Sequence, residues 1–231
     1  MRRFDARREW KEAERNALPI PAGLELLSAS GTLAVSRRIE DFVPGIPARY
    51  AILDQTGRPI LFAQDTNESV LHRFRITLVN GAGQEILKLK RHLIPGLHHN
   101  LNSRVTIACA DGRTLGYVMK RKQLGFRTQV QIRDEHRKTK YKLRPDKMLW
   151  RWAQELRIMD GRQHVGSIFR NYGRRSEAVE QAEQDKYEIR FPPDAHVNTK
   201  AVILGAALFL DFLFHESGEM IDAENDADVE D

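Results

Sequence analysis

Cysteine is almost absent: Cys109 is the only one in 231 residues. No internal disulfide can form, so the core alone must hold the fold, and a reducing compartment is favoured. The lone thiol is expected as an apolar filler in a strand. Long apolar runs are missing too. The longest, Ala201–Phe214, is interrupted by Asp211 and falls short of the ~20 residues that a bilayer crossing needs. No phosphate-cradling glycine loop, nucleophile–base arrangement or catalytic carboxylate pair is present, which indicates a non-enzyme. His98 and His99 stand too isolated for a metal site. The first fifteen residues mix charges of both signs, among them Asp5, Glu9, Glu12 and Glu14, and contain no apolar stretch. Neither a secretory nor a mitochondrial leader is expected from them.

Charge is plentiful and unevenly placed. The chain carries 37 Lys and Arg against 32 Asp and Glu. Eight of those acids lie in Glu216–Asp231, which has no Lys or Arg; the rest of the chain therefore holds 37 basic against 24 acidic residues, a net of +13. A body so basic points to an anionic partner, a membrane surface or a nucleic acid. The nucleic-acid reading has little support, since no recognition helix or aromatic stacking motif accompanies the charge. The acidic end reads as a disordered solubilising tail.

The body repeats one pattern: an alternating apolar run, a turn with Gly, Asp or Asn, and a second alternating run. Six copies are expected. They are Leu24–Leu27 with Thr32–Ser36, Tyr50–Leu53 with Pro59–Ala63, Phe74–Val79 with Glu85–Leu89, Val105–Ala108 with Leu115–Met119, Thr128–Ile132 with Lys138–Leu143, and Glu155–Met159 with His164–Phe169. Tyr187, Ile189 and Phe191 alternate as one further strand. Asp-Gly and Asn-Gly supply the positive φ that two-residue hairpin turns require, and alternation gives each strand one dry and one wet face. About a dozen twisted antiparallel strands must close on themselves to hide their edges.

The apolar run then decides the architecture. A helix apolar on nearly every face needs burial all round. Fourteen residues reach only about 21 Å, and Asp211 adds an insertion cost. A helix threaded through the barrel is preferred to a single-pass insertion through 200–215. The fold class is thus mainly β: a closed antiparallel barrel of about twelve strands around a buried C-terminal apolar helix, with Ala201, Leu204, Leu208, Asp211 and Phe212 on that helix. Three parts are expected: a charged N-terminal helix at 1–18, the barrel domain at 19–216 with its central helix at 200–215, and the acidic tail at 217–231. Asp211 is expected as a last-turn residue reaching solvent; the alternative is a polar spot orienting the helix at a barrel mouth.

Several stretches carry a family resemblance. Asn198–Glu216, with its Lys200-Ala-Val-Ile-Leu-Gly-Ala start and Leu210-Asp-Phe-Leu-Phe-His-Glu end, resembles the C-terminal helix of the phospholipid scramblase family. Asp185–Asp194 resembles that family's acidic segment with a Phe-Pro-x-Asp end. Pro21–Leu27, Tyr50–Asp65, Gly116-Tyr117-Val118 and Val165-Gly166-Ser167-Ile168 are similar to further landmarks in the same order. The resemblance spans about Pro19 to Glu216. It implies a tubby-like barrel of about twelve strands around the C-terminal helix, and calcium-stimulated phospholipid movement between leaflets. Animal members carry a cysteine cluster that can be palmitoylated; near Arg91–Asn100, where it would fall, this chain has no cysteine, so acylation there is excluded.

The family's calcium segment maps onto Glu183–Asp194, where Glu183, Asp185 and Asp194 could supply oxygen ligands for Ca2+. The competing reading is a barrel strand flanked by acidic loops, because Tyr187 and Glu188 occupy the fifth and sixth positions, where a calcium loop wants a side-chain oxygen and a glycine. Basic stripes mark the surface. Lys138, Lys140, Lys142 and Arg144 recur at strand spacing, Lys88 and Lys90 do the same, and Lys120, Arg121 and Lys122 cluster at a strand end. Each would attract anionic lipid by about 1 kcal/mol; the competing reading is an ordinary solvated face. Trp150 and Trp152 fit either an interfacial or a core role. The resulting expectation is a cytoplasmic or membrane-peripheral phospholipid-binding protein, scramblase-like, on an anionic membrane. The alternative is a soluble phospholipid- or phosphoinositide-binding adaptor of the same fold without transport.

Overall fold

A computed structural model of the chain describes residues 20–36, 48–66, 74–93, 103–122, 128–146, 155–171 and 186–215. The helix and tail expected at 1–18 and 217–231, and Trp150, Trp152, Glu183 and Asp185, lie outside these residues.

The described chain begins with a short helix, α1 (Glu25–Ala29), and runs into strands β1 (Thr32–Ser36), β2 (Tyr50–Leu53), β3 (Pro59–Asp65), β4 (Arg75–Val79), β5 (Glu85–Leu93) and β6 (Ser103–Cys109). It continues through β7 (Thr114–Lys122), β8 (Thr128–Asp134), β9 (Thr139–Pro145), β10 (Glu155–Asp160), β11 (Gln163–Asn171) and β12 (Lys186–Arg190), and ends in helix α2 (Val197–His215). Every strand pairs antiparallel with its sequence neighbours, and β12 pairs with β1, Leu33 opposite Ile189, so the sheet is a closed twelve-stranded barrel. The expected architecture stands.

Alternation builds the wall. Along β6, Ser103, Val105, Ile107 and Cys109 are buried while Arg104, Thr106 and Ala108 are half-buried. Cys109 is an inward-facing apolar filler. A barrel of eight strands is about as large as strand side chains can fill; with twelve, the axis needs another occupant. That occupant is α2, nineteen residues and about 28 Å long, whose residues from Lys200 to Leu213 are all buried. The wall approaches α2 closely at Gly116, where an added Cβ would lie 2.4 Å from the Arg133 carbonyl oxygen and 2.7 Å from Val202. Ala201, Leu204, Leu208, Asp211 and Phe212 are all enclosed, as expected for four of them. No described helix is long and apolar enough to cross a membrane.

Two expectations need correction. Leu24–Leu27 is not a strand: Leu24 and Leu27 are buried and Leu26 is exposed, a three-residue spacing that suits α1 and its preceding turn. The hairpin turns also differ. Only β10–β11 has a two-residue loop, Gly161–Arg162, with Gly161 at φ 62°. The loops β2–β3, β4–β5, β6–β7 and β8–β9 share a longer design. The fourth residue of the turn donates its N–H to the carbonyl of the first, as Gly57 to Asp54, Gly83 to Asn80, Gly112 to Cys109 and Arg137 to Asp134. That fourth residue has positive φ, and the strand register shifts beside it. This is the three-residue hairpin ending in a left-handed bulge residue. Asp54 and Asn80 each brace their loop, one side-chain oxygen accepting two backbone N–H bonds.

Candidate functional site

The outer wall of β4–β10 follows from the same alternation. Positions between the inward apolar residues must face out, and many of them here are basic. Arg75 lies opposite Lys90 and next to it in the ladder come Thr106 and Tyr117. Lys142 and Arg144 project outward from β9 while Tyr141 and Leu143 face in. Arg144 sits directly opposite Arg157 of β10. Some of this charge is locally paired: Lys88 with Glu85 at 2.7 Å, Arg157 with Glu155 at 3.2 Å, and Lys140 with Asp134 at 3.9 Å. Arg121, Lys142 and Arg144 are exposed and form no ion pair among the described residues. Across β1–β4, by contrast, the outer wall is apolar, with Ala51, Leu53, Phe62 and Val79 forming a small second cluster. These four residues are themselves buried, so the exposed charge of the outer wall is concentrated on the other strands.

Arg133 belongs to the basic side. Its Nε and Nη2 both donate to Gln131 Oε1, at 3.1 and 2.6 Å, and burial together with the nearby Arg121 charge pushes its guanidinium below the usual range. Tyr117, opposite Arg133 in the ladder, carries the guanidinium groups of Arg104 and Arg137 over its ring, at 5.5 and 5.7 Å from the centroid.

The expected basic residues do not all share this wall. Lys88, Lys90, Arg121, Lys140, Lys142 and Arg144 face outward, and Lys138 is exposed in the turn before β9. Lys120 does not: it alternates inward with Gly116 and Val118 and is 3 % exposed. A run of three cations cannot all face solvent from a strand, because its middle or outer members take the other face. Lys122 is the last residue of β7.

A second polar cluster is buried at the end of the barrel where α2 finishes. Asp211 is 1 % exposed. Tyr50 from β2 donates its hydroxyl to Asp211 Oδ2 at 2.5 Å, and Tyr187 from β12 donates to Oδ1. Burial pushes the Arg170 guanidinium below its ordinary range, and Tyr187 and Asp211 beside it oppose that push. Arg91 lies over the rings of Phe209 and Phe212 at 5.7 and 6.0 Å, and Phe74 packs edge-on against Phe209. Asp211 is thus not a solvent-facing last-turn residue. It fixes the rotation of α2 against two strands from opposite ends of the sequence.

At the other end of α2, Lys200 Nζ donates to the carbonyl oxygens of Leu27, Ser28 and Ser30 at 3.2, 2.8 and 2.8 Å. These carbonyls lie at the end of α1, where acceptors run out of helical donors; that of Leu27 also accepts from the Ser30 N–H at 3.3 Å. Burial pushes the Lys200 amine below its ordinary value.

Of the calcium candidates, Asp194 is exposed in a turn after β12. The described part of that segment is strand: Tyr187 faces inward to Asp211, and Glu188 accepts from Arg190 Nε at 2.6 Å. No group of three or more His, Cys, Asp or Glu residues placed to hold a metal exists among the described residues. Sequence reasoning missed Arg104, Arg137, Arg170, Tyr50 and Tyr187. For Arg170 a signal existed, two residues beyond inward-facing Ile168. For Arg137 there was none, since stacking over Tyr117 depends on the bulged turn.

Comparison with known proteins places these features in context. The family described as Scramblase matches residues 13–217. Human phospholipid scramblase 1 is 25% identical over 232 residues, covering 90% of this chain and 70% of that protein. Human phospholipid scramblase 4 is 24% identical, covering 73% of this chain and 55% of that protein. Bovine phospholipid scramblase 2 is 24% identical, covering 90% of this chain and 76% of its own length. A solved protein of Arabidopsis thaliana aligns with a TM-score of 0.47 and 12% identity, covering 83% of this chain and 99% of that one.

Proposed function

Since this chain belongs to the scramblase family, we propose that it binds anionic phospholipid bilayers through the basic outer wall of β5–β9 and moves phospholipids between the leaflets. The observation that carries this reading is the division of labour in the fold. The apolar helix is spent on the core, so membrane contact falls to the outer wall, where Lys88, Lys90, Arg121, Lys138, Lys140, Lys142 and Arg144 stand. At about 1 kcal/mol per cation near an anionic surface, a few simultaneous contacts suffice for reversible association. The activity is non-enzymatic: no covalent bond is made or broken. The protein works at the membrane periphery as one barrel unit, residues 19–216.

Calcium stimulation is the finer part of the proposal, with Glu183, Asp185 and Asp194 as the carboxylates offered for it. Terbium luminescence tests it directly. A saturable signal lost in Asp194→Asn supports it, and a flat titration to millimolar ion removes it.

The enclosed helix favours a second reading. A barrel filled by its own helix offers lipid no passage through its interior, which suits a phospholipid-binding adaptor without transport. Dithionite quenching of fluorescent lipid in liposomes bearing the purified protein separates the two. Leaflet exchange above that of empty vesicles supports movement of lipid; exchange at the empty-vesicle rate, with flotation intact, leaves binding alone. No flotation with anionic vesicles would overturn both.

A further inference from the structure

Arg137 is the only residue other than glycine with positive φ among the described residues, at φ 64°. The three turns built to the same hydrogen-bonding plan place Gly57, Gly83 and Gly112 there, at φ 80, 76 and 89°. Glycine adopts that conformation without steric cost, and a side chain does not. Folding alone therefore gives no reason for an arginine at this position. What the turn does is set the Arg137 guanidinium over the ring of Tyr117, 5.7 Å from its centroid. Arg104, two strands away, holds its own guanidinium over the same ring at 5.5 Å. Arg104 Nε is buried and makes no hydrogen bond. Arg133 lies directly opposite Tyr117 in the ladder, and Arg121 stands beyond it. Like charges so gathered repel, and an unusual backbone conformation that persists is a reason to look for function.

We propose that Arg104 and Arg137, clasped about Tyr117 and backed by Arg133 and Arg121, form a site for a phosphate monoester, with a phosphomonoester lipid headgroup as the ligand. This deepens the membrane-binding reading and rests on it. A monoester carries up to two negative charges and three terminal oxygens, enough to accept from two guanidinium groups at once. A carboxylate-bearing headgroup such as that of phosphatidylserine offers a phosphodiester with a single negative charge at its phosphorus, and would gain less from the clasp.

The test compares flotation with vesicles of phosphatidic acid and of phosphatidylserine, matched in surface potential, for the wild type, Arg137→Gly, Arg104→Gln and Lys142→Gln. The wild type should prefer phosphatidic acid. Arg137→Gly should melt no lower than the wild type, because it restores the residue its sister turns use, yet bind phosphatidic acid about fivefold more weakly, as the loss of one cation predicts. Arg104→Gln should act alike. Lys142→Gln, outside the clasp, should weaken both vesicle types equally. Calorimetry with soluble glycerol 3-phosphate distinguishes the sources. Binding at least tenfold weaker than to the vesicles supports a lipid headgroup; equal binding assigns the site to a free phosphate ester and overturns the lipid part. Equal affinity of the wild type for both vesicles, or unchanged binding by Arg137→Gly, overturns the site while leaving membrane binding standing. Absence of binding to either vesicle overturns the membrane reading as well.

Discussion

Replacing Asp211 by asparagine tests the buried end of the barrel. The side chain keeps its shape but loses its charge. In the folded protein the carboxylate accepts two phenolic hydrogen bonds, from Tyr50 and Tyr187. Bonds of this charge-assisted kind contribute about 1.5–3 kcal/mol each. Asparagine can accept only at one end; its amide must face the other phenol donor to donor, or that phenol must turn. Arg170, 2 % exposed, also loses its neighbouring negative charge. Breaking a buried charge relationship by removing one partner costs about 3–5 kcal/mol. With a urea slope of about 2–3 kcal/mol per M for a chain of this size, the denaturation midpoint should fall by about 1–2 M. Tyr187→Phe alone should cost about 1.5–3 kcal/mol. The double variant should lose less than the two single losses combined, by about 1–3 kcal/mol. A loss below about 1 kcal/mol for Asp211→Asn would mean a carboxylate in water, as for an exposed pair. That result, or strict additivity with Tyr187→Phe, would refute the buried cluster.

Three further outcomes are expected. Burial, with the charges of Asp194 and Asp160, pushes the Tyr141 phenol well above its usual range. Above pH about 10 the unfolded chain loses a proton that the folded chain keeps, so stability falls as pH rises; Tyr141→Phe should lessen that fall in denaturation curves taken from pH 8.5 to 11, and an identical slope would count against it. Gly116→Ala should destabilise by about 1–3 kcal/mol or more through overpacking against the Arg133 carbonyl and Val202, whereas Gly57→Ala, whose methyl meets nothing, should cost about 1 kcal/mol from its φ alone; equal melting temperatures for the two would contradict the close approach. Lys200→Met removes the donor shared by three carbonyl groups and should cost about 1.5–3 kcal/mol, with faster amide exchange around residues 28–32, and protection unchanged there would exclude the cap.

Much of the architecture was legible because it rests on period and turn chemistry. The alternation of Leu87 and Leu89 with Lys88 and Lys90 states which way each side chain points, whatever it meets. The helix was legible because Ala201–Leu210 has no polar face to leave in water. Leu24–Leu27 misled because three apolar residues in four suit a strand or a helix turn equally, and only tertiary contact with Lys200 decides. Asp211 misled for a related reason. A charge near the end of an apolar run reads as an exit to solvent, and its phenolic partners lie 161 and 24 residues away. The basic wall was half legible: stripes within one strand are visible in sequence, but the company of Arg104, Tyr117 and Arg137 comes from strand register and a bulged turn.

The pairing of β1 with β12, and the place of α2 after β12, also set an order of events. A ribosome delivers all twelve strands before the segment that fills the space between them. Until residues 197–215 have emerged, the inward faces of β6, β7, β8 and β12 lack the helix they pack against, and the first strand waits for the last. Most of the chain's ladder joins neighbours in sequence, but the β1–β12 closure is a long-range pairing, and such pairings form slowly, leaving apolar strands exposed in the meantime. Its last helix is therefore the step that commits the nascent barrel, and chaperone dependence should persist until that helix is released.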